Sequence, residues 1–509
     1  MSVAEPGGGL NRTAITACLM LATLMNALDI TIANVALPQL QGNISASADE
    51  ITWVLTSYII AAAIGTPLTG WLSGRVGRKR LFLISIAGFT ASSMLCGIAN
   101  SLPEIVAFRL LQGLLGAPLV PLSQSLLLDI NPPEKHGQAM SIWSASTLLG
   151  PIMGPTLGGL LTDHLSWRWC FYINLPIGIL AFAGIWMFLS ADKPQRRVRL
   201  DFLGFGALVA FAASFQLMLD RGQGQDWFAS REIWVEAIVA AMALWIFGVQ
   251  MATARQPFVD AALFKDRNFI TATLFIAFSS VLMMSTLVLG PPMLQGLMGY
   301  SVTHSGMVMA IRGIGAVGSM LLVGRLIGRV DMRLILLAGL ALCAYGLWRM
   351  THFDLSMDSR PVLVAGFFIG VGAGFLTVPL TTLAFATLPA RFRPEASSMF
   401  SLTRSLGSSI GISVMQVMAI RNAQAMHSSL AAHVVPSDPV VGAALQMGPN
   451  GVAPGLLAQL DAEIVRQAMM IAYIDDYRLM FFMTLLCMPM LLLLRRPRSR
   501  GEPIHVDAE

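Results

Sequence analysis

Long apolar runs separated by short polar turns account for most of this chain. A helix needs about 20 consecutive apolar residues to cross a bilayer. Fourteen runs of this kind can be placed, near residues 13–37, 50–73, 80–99, 103–128, 139–162, 169–190, 201–220, 232–252, 269–290, 303–325, 333–350, 361–388, 396–421 and 478–495. The pattern therefore predicts an all-α membrane protein with about fourteen transmembrane helices.

A seven-residue pattern occurs twice, each time where an apolar run ends. The copies are Gly70-Trp-Leu-Ser-Gly-Arg-Val76 and Gly324-Arg-Leu-Ile-Gly-Arg-Val330, and basic residues follow both. Two cytoplasmic turns could share glycine and arginine by composition alone, but here the order of residues matches as well. A turn repeated in two halves of a membrane protein indicates a duplicated helical bundle, the architecture of many secondary transporters.

The repeat divides the chain into domains. We predict a six-helix bundle over residues 13–190, a second bundle over 269–495, and two inserted helices with cytoplasmic linkers over 191–268. Most of the 33 Lys and Arg residues fall in alternate turns and in the tails, which the positive-inside rule assigns to the cytoplasm. Both tails, residues 1–12 and 496–509, are therefore expected on the cytoplasmic side.

One predicted outside loop, residues 422–477, is much longer than the others. It mixes proline, glycine and polar residues with an amphipathic stretch from Leu456 to Ile474. Long loops without their own fold are often functional. A functional segment and a simple spacer are both consistent with this composition.

The composition agrees with a chain solvated mainly by lipid. Hydrophobic residues make up 55% of the chain and charged residues 12%, about half the charged share of a soluble domain. The net charge of +5 lies in short turns, which favours anionic lipid headgroups as partners and provides no nucleic-acid surface. The five cysteines show no paired spacing, so neither a metal site nor a disulfide framework is expected. The P-loop and HExxH motifs are missing, and we expect no enzyme activity and no cofactor.

Asp29 is the most informative single residue, because it lies inside the first apolar run. It stands about eight residues from the outer end of that run, which is roughly 12 Å deep at 1.5 Å per residue. An ionised carboxylate at that depth is costly unless it is paired, protonated or in contact with water. Asp29 is therefore a candidate proton carrier. The alternative is a structural aspartate that hydrogen-bonds to nearby backbone.

Three arginines also lie within apolar runs. Arg109, in the fourth run, is permanently charged, so it cannot carry the proton itself. It can bias a carboxylate, balance charge in a cavity or hold backbone carbonyls. Gln112, about one helical turn further on, shares its helix face. Arg312 and Arg404 are the matching arginines of the second half, and each is expected either to contact an anionic substrate or to lock helices together.

The fifth run contains the segment Gly150-Pro-Ile-Met-Gly-Pro-Thr-Leu-Gly-Gly159. Its two prolines each remove a backbone donor, and its glycines permit close contact with a neighbouring helix. The helix is therefore expected to be a pliable element between the bundles. Its predicted hinge residues are Gly150, Pro151, Gly154, Pro155, Gly158 and Gly159. Ordinary close packing could also explain this composition.

These motifs together resemble the major facilitator superfamily, and within it the fourteen-span drug:proton antiporters of the EmrB/QacA type. The resemblance runs through nearly the whole chain. It includes Leu28 to Pro38 in the first span, Gly70 to Arg80 in the following loop, Arg109 to Ala117 in the fourth span and Gly150 to Gly159 in the fifth. It implies export of hydrophobic or amphiphilic toxic compounds by alternating access, driven by the proton gradient without a cofactor.

The resemblance also assigns roles and partners. Asp29 and Arg109 become the proton-coupling residues, and Gly154 and Pro155 the centre of the antiporter hinge. The polar residues expected in the substrate cavity are Asn34, Gln112, Gln124, Arg312 and Arg404. Within this group the likeness is strongest to the EmrB type, which implies a place in the inner membrane of a Gram-negative bacterium. The implied partners are small hydrophobic substrates, protons, membrane lipids, an EmrA-like periplasmic adaptor and a TolC-like outer-membrane channel.

The loop motif departs from the family pattern at one position. Its fifth residue is usually Asp, whereas this chain has Gly74, echoed by Gly328 in the repeat. If that Asp helps to close the cytoplasmic side, this protein closes it differently, although Arg75 can still cap a helix C-terminus. The predicted cytoplasmic gate loop comprises Gly70, Gly74, Arg75, Gly77 and Arg78. The alternative function is transport of a lipid or of a narrow class of metabolite on the same fold.

Overall fold

The computed structural model describes residues 8–44, 46–190, 200–434 and 454–493, and the predicted tails and the basic linker 191–199 lie wholly or largely outside these ranges. Helices dominate the described residues. They are α1 Gly8–Ile44, α2 Ala48–Ile51, α3 Trp53–Val76, α4 Arg78–Ile98, α5 Leu102–Gly116, α6 Leu119–Ile130, α7 His136–His164, α8 Trp169–Tyr172, α9 Asn174–Phe188, α10 Phe202–Arg221, α11 Arg231–Thr253, α12 Arg267–Pro292, α13 Val302–Leu326, α14 Met332–Met350, α15 Arg360–Ala386, α16 Arg393–Ala432 and α17 Pro454–Cys487.

Each predicted span coincides with one or two of these helices. The fourth span is divided into α5 and α6 beside Pro118, and the sixth is formed by α8 and α9. Eleven candidate spans among the described residues are both long enough and apolar enough to cross a membrane. Helices α7, α16 and α17 are also long, at 29, 40 and 34 residues, but they carry more polar side chains. The predicted all-α membrane fold is confirmed.

The helices form two bundles with equivalent pairings. In the first bundle α1 packs on α7 and α3 packs on α5. In the second bundle α12 packs on α16 and α13 packs on α15. Helices α7 and α16 also reach across to the other bundle, where they contact α13 and α3. Helices α3 and α13 are the second spans of their halves, and α7 and α16 are the fifth. Each second span therefore contacts the fifth span of the other bundle, as expected for a duplicated arrangement.

The inserted helices α10 and α11 pack on each other, and α10 contacts α3 of the first bundle and α16 of the second. Asp201 fixes the end of this pair that the sequence assigns to the cytoplasm. Its carboxylate accepts hydrogen bonds from the backbone N–H of Gly204 at 3.0 Å, from Gln250 Nε2 at 3.0 Å and from the backbone N–H of Phe258 at 3.2 Å. One N-cap side chain therefore joins the start of α10 to the end of α11 and to the linker that follows.

The structure corrects the predicted loop at residues 422–477. Helix α16 continues as far as Ala432, and α17 begins at Pro454, so most of the segment is helical. The amphipathic stretch from Leu456 to Ile474 lies within α17. A hydrogen bond of 2.9 Å between His427 Nε2 and Asp461 Oδ1 joins the two extended helix ends.

The seven-residue repeat is not matched residue for residue in the backbone. Helix α3 runs through Val76 and turns at Gly77, whose φ is +93°. In the second copy α13 ends two positions after Gly324, and the turn is made by Gly328 with φ +89°. A positive φ favours glycine at both turns. Sequence alignment therefore pairs Gly328 with Gly74, whereas backbone conformation pairs it with Gly77.

Candidate functional site

Asp29 and Arg109 meet in a dry polar cluster inside the first bundle. Asp29 on α1 is 1% exposed and Arg109 on α5 is fully buried. Arg109 Nη1 donates to Asp29 Oδ2 at 2.6 Å. The other carboxylate oxygen, Oδ1, accepts from Gln112 Nε2 at 2.8 Å and from Asn174 Nδ2 at 2.9 Å. A buried charge has to be paired and hydrogen-bonded, and here both conditions are met.

A second layer holds the guanidinium in place. Arg109 Nε donates to the backbone carbonyl of Val54 at 3.1 Å, and Nη1 also donates to Gln112 Oε1 at 2.9 Å. The guanidinium carbon lies 4.3 Å from the centre of the Tyr58 ring, a cation–π contact. Helices α1, α3, α5 and α9 therefore all supply groups to the cluster, so its geometry depends on the packing of the whole bundle.

Asn174 is the member of this cluster that sequence reasoning did not assign to the site. It is the first residue of α9 and is fully buried, and its amide also donates to Ser93 Oγ on α4 at 2.9 Å. The segment from Trp167 to Gly178, which contains Asn174, is typical of the fourteen-span branch, but the residue's own signal was only a lone amide at the edge of an apolar span. That signal is weak, because amides also occur at helix ends as ordinary caps.

The residues predicted to line a substrate cavity do not form one surface in this conformation. Gln112 belongs to the Asp29 cluster, and Gln124 is fully buried between the bundles, where it accepts from Ser397. Arg404 lies 5.7 Å from the centre of the Trp143 ring, and Arg312 donates to the carbonyl of Met283 at 2.8 Å. Asn34 is exposed on the outer half of α1.

The predicted hinge glycines lie in a continuous helix that packs closely on α1. A Cβ atom on Gly150 would lie 2.5 Å from Ala27 Cβ, and one on Gly158 would lie 3.2 Å from Val35 Cβ. Gly154 faces Thr31 in the same way, whereas Gly159 has open space around it. The Thr31 hydroxyl donates to the carbonyl of Gly150 at 3.1 Å. Close packing is therefore present at three of the four glycines, and the hinge role stays a prediction.

The second bundle repeats this contact on its equivalent helices, which the sequence did not indicate. On α16, Gly407 lies against Ala277 of α12, and Gly411 lies against Val281. The four-residue spacing on both helices is the same as in the α1–α7 contact. Small residues at this spacing let two helix backbones approach closely.

Hydrogen bonds and ion pairs join the bundles at the end that the basic turns assign to the cytoplasm. Asp129, at the end of α6, pairs with Arg78 of its own bundle. Its other oxygen accepts from Arg393 Nη1 of the second bundle at 2.6 Å. Close by, the Ser397 hydroxyl donates to the carbonyl of Pro121 at 3.0 Å. We call this set of contacts the cytoplasmic gate, after that assignment, and its contacts hold the two bundles together in the structure.

The predicted gate loop has Gly74 where the family motif usually has Asp, and a different acidic residue joins the bundles here. A Cβ atom added to Gly74 would meet nothing within 4 Å, whereas Arg75 lies 5.0 Å from the ring centre of Trp71 on its own helix. Gly70 touches α16, because a Cβ there would lie 3.1 Å from the Cα of Glu395. The acidic group that joins the halves is therefore Asp129, outside the predicted gate loop.

Glu395 contributes a titratable group to the same contact. Its Oε1 accepts from the backbone N–H of Asp260 at 2.5 Å, which ties α16 to the linker after the inserted helices. Burial raises the pKa of the Glu395 carboxyl to about 7, and the nearby Asp260 carboxylate adds to the rise, against the lowering effect of the hydrogen bond. A group of this kind changes charge near neutral pH.

Comparison with known proteins agrees with this architecture. The family model for the Major Facilitator Superfamily matches residues 19–412. The multidrug export protein EmrB of Escherichia coli (strain K12) is 38% identical over 443 residues, which cover 86% of this chain and 86% of that protein. The fatty acid resistance protein FarB of Neisseria gonorrhoeae is 35% identical over 494 residues, covering 96% and 97%.

Among solved structures, the human organic anion transporter MFSD10 has the same fold. It matches with a TM-score of 0.58 and 16% identity, and the match covers 93% of this chain and 99% of that one. The family match extends over most of the chain, and both bacterial relatives exceed 30% identity at high coverage. The chain therefore belongs to the Major Facilitator Superfamily, among its EmrB-type transporters.

Proposed function

We propose that this protein is a proton-coupled exporter of hydrophobic or amphiphilic toxic compounds, working by alternating access in the inner membrane of a Gram-negative bacterium. Its relatives include a multidrug export protein, which supports the substrate class. The observation that carries the coupling step is the buried pair of Asp29 and Arg109, with donors from α5 and α9 around it. The fold, the Asp29 cluster and the closed gate together favour transport over catalysis.

The coupling step follows from the contacts of Asp29. Three donors surround the carboxylate, so a proton arriving at Oδ2 has to replace the hydrogen bond from Arg109. Protonation therefore breaks the contact between the Arg109 guanidinium and Asp29. The guanidinium keeps its contacts with the carbonyl of Val54 and the ring face of Tyr58. The released contact loosens α1 from α5. Each proton that moves inward across the membrane supplies about 2.3 kcal/mol per 100 mV.

Alternating access then requires the cytoplasmic gate to open. The gate is closed by Asp129 with Arg393 and by Ser397 with its acceptors on α6. Substrate would enter from the cytoplasm or the inner leaflet when these contacts separate. A stripe on the outer half of α1, formed by Ile30, Asn34 and Pro38, is exposed while the gate is closed. This stripe is consistent with release towards the outside.

The first experiment measures efflux of a lipophilic fluorescent dye from cells. We expect the wild type to export the dye and a protonophore to stop it. Asp29→Asn should abolish efflux while normal amounts of protein reach the membrane, because the amide cannot take up and release the proton. The matched control is Asp163→Asn, an exposed aspartate on α7. Wild-type efflux by the Asp29→Asn variant, or efflux that survives the protonophore, would contradict the proposal.

The extended ends of α16 and α17 support a tripartite assembly with an EmrA-like adaptor and a TolC-like channel. Helix α16 is 40 residues long, about 60 Å, which exceeds the roughly 30 Å of the bilayer core. Its outer end and the start of α17 are joined by the pair of His427 and Asp461. We expect a photo-cross-linker at the exposed Val465 to capture the adaptor in intact cells. The same group at exposed Trp245 on α11 should not, and equal capture at both sites would contradict this assignment.

A second candidate substrate class is a lipid-like acid. The fatty acid resistance protein FarB resembles this chain over nearly its whole length. Fatty acids are amphiphiles, so the same cavity chemistry would serve both classes. Growth protection against a long-chain fatty acid, compared with protection against the dye, decides between them.

A further inference from the structure

Helix α17 carries a second buried acidic group, and its situation is opposite to that of Asp29. Asp476 is fully buried, and neither carboxylate oxygen has a hydrogen-bond partner among the described residues. Its chain neighbour Asp475 behaves differently, because Oδ1 of Asp475 accepts from Arg478 Nη1 at 3.0 Å on the exposed side of the helix. Two adjacent aspartates therefore have very different surroundings.

The surroundings of Asp476 are apolar. The buried face of α17 around it includes Tyr473, Tyr477 and Met480, and the helix packs on α16, α14 and α12. Tyr477 belongs to a hydrophobic cluster with Met350 and Phe353 at the end of α14, which the predicted topology places on the outer side. The acidic group therefore lies near the outer surface of the membrane but is shielded from water.

Among the residues that the structure describes, no cation is paired with Asp476. The titratable groups that act on it are Asp475, Tyr473 and Tyr477, and none of these is basic. Arg349 on α14 and Arg404 on α16 form no ion pair with it. Arg312 lines a small cavity together with Tyr477, but its guanidinium donates to the carbonyl of Met283. An ionised carboxylate without a partner in an apolar setting is strongly disfavoured relative to the neutral acid.

We propose that Asp476 is a proton-binding site of the second bundle, occupied at neutral pH in the conformation with a closed cytoplasmic gate. Asp29 has a permanent cation as its partner in this same conformation, whereas Asp476 has none among the described residues, so the two acids differ in how a negative charge would be compensated. The part of this proposal that concerns transport rests on the proposed function: the proton on Asp476 is exchanged during the cycle and adds to the one carried by Asp29.

The direct test measures protonation without transport. Infrared spectra of the full-length protein in lipid, recorded at pH 7.5 for the wild type and each variant, detect the C=O stretch of a protonated carboxyl. We expect Asp476→Asn to lose one such band that wild type, Asp475→Asn and Asp29→Asn all keep. Asp476→Asn replaces a neutral acid with a neutral amide of the same shape, and an unchanged elution profile in detergent shows that it folds. Identical spectra for wild type and Asp476→Asn would overturn the proposal, whatever the transport results are.

The transport part has its own readout. The purified protein is placed in proteoliposomes, and the membrane potential at which net dye flux stops is measured. This potential gives the number of protons moved per dye molecule. We expect Asp476→Asn to keep dye transport with fewer protons per dye, whereas Asp475→Asn keeps the wild-type ratio. An unchanged ratio in Asp476→Asn would overturn the exchange of this proton. Loss of coupled transport in Asp29→Asn tests the proposed function separately.

Discussion

At the scale of single residues, the first bundle contains an ion pair whose two side chains are fully buried. Asp29 has three donors and Arg109 has three acceptors, while Arg109 Nη2 has no partner among the described residues. Forming such a pair gains little stability overall, because desolvation offsets much of the attraction. Removing one partner is different, since it leaves an uncompensated charge in the bundle. The pair is therefore suited to a step in which a proton neutralises the Asp29 carboxylate.

The energetic consequence can be measured with a double-mutant cycle. Arg109→Ala should lower the free energy of unfolding in detergent by about 3–5 kcal/mol, because Asp29 is left buried and unpaired. The double variant Arg109→Ala with Asp29→Asn should recover part of that loss. Arg360→Ala, at an exposed arginine, serves as the control and should change little. Additive costs in the cycle would show that the two side chains are not coupled.

At the scale of elements, the structure repeats one helix contact in both bundles. Glycines spaced by four residues on α7 lie against α1, and those on α16 lie against α12. In each case the helix with the glycines also contacts the opposite bundle. The same helices therefore connect the interior of a bundle to the interface. Closely packed interfaces switch between discrete arrangements more readily than they deform gradually.

Two glycines of α7 provide a matched comparison. Gly150→Ala should destabilise the protein by about 1–3 kcal/mol, because the added methyl group overlaps Ala27 and the helices have to separate. Gly159→Ala adds a methyl group where there is open space, and it should be neutral or stabilise the helix by up to about 1 kcal/mol. Thermal unfolding in detergent measures both. Equal effects at the two positions would argue against the close contact of α1 and α7.

At the scale of the whole molecule, Asp129, Arg393 and Ser397 hold the two bundles together at the predicted cytoplasmic end, and Glu395 joins α16 to the linker at Asp260. Glu395 is buried against Gly70 and the linker at Asp260. Its raised pKa means that the closed gate binds a proton more tightly than a hydrated carboxyl does. Closure is therefore favoured at low pH, and this advantage is lost as the pH rises from the ordinary range of a carboxyl, about 4.5, towards about 7.

This pH dependence can be followed with spectroscopic labels. Pairs of labels at two exposed residues, Arg80 near the start of α4 and Arg329 in the turn after α13, report the distance between the predicted cytoplasmic ends of the two bundles. We expect this distance distribution to shift towards the open state between pH 5 and pH 7 and to change little above that. Glu395→Gln should remove the shift. Arg393→Ala weakens the gate without removing a carboxyl, so it should favour the open state yet keep the pH dependence. A shift that persists in Glu395→Gln would exclude this group as its source.

The sequence by itself determined the membrane fold and the buried charges of the first bundle. Apolar runs of spanning length and basic turns are local properties, so hydropathy placed each predicted span on a helix of the structure. The cost of a charge in lipid singled out Asp29 and Arg109 without any structure. Sequence also indicated the small residues of α7, because dense glycine and proline in a span is a local feature as well.

Only the tertiary structure decided which groups meet. Asn174 reaches Asp29 across 145 positions, and Arg393 reaches Asp129 across 264. Asp475 and Asp476 are equivalent as sequence, yet helix rotation places one beside Arg478 and buries the other without a partner. Contacts of this kind depend on how helices pack and turn relative to one another, and hydropathy contains no information about that geometry. The sequence therefore predicted which charged residues lie within the membrane spans. The fold alone determined which groups compensate each of these charges.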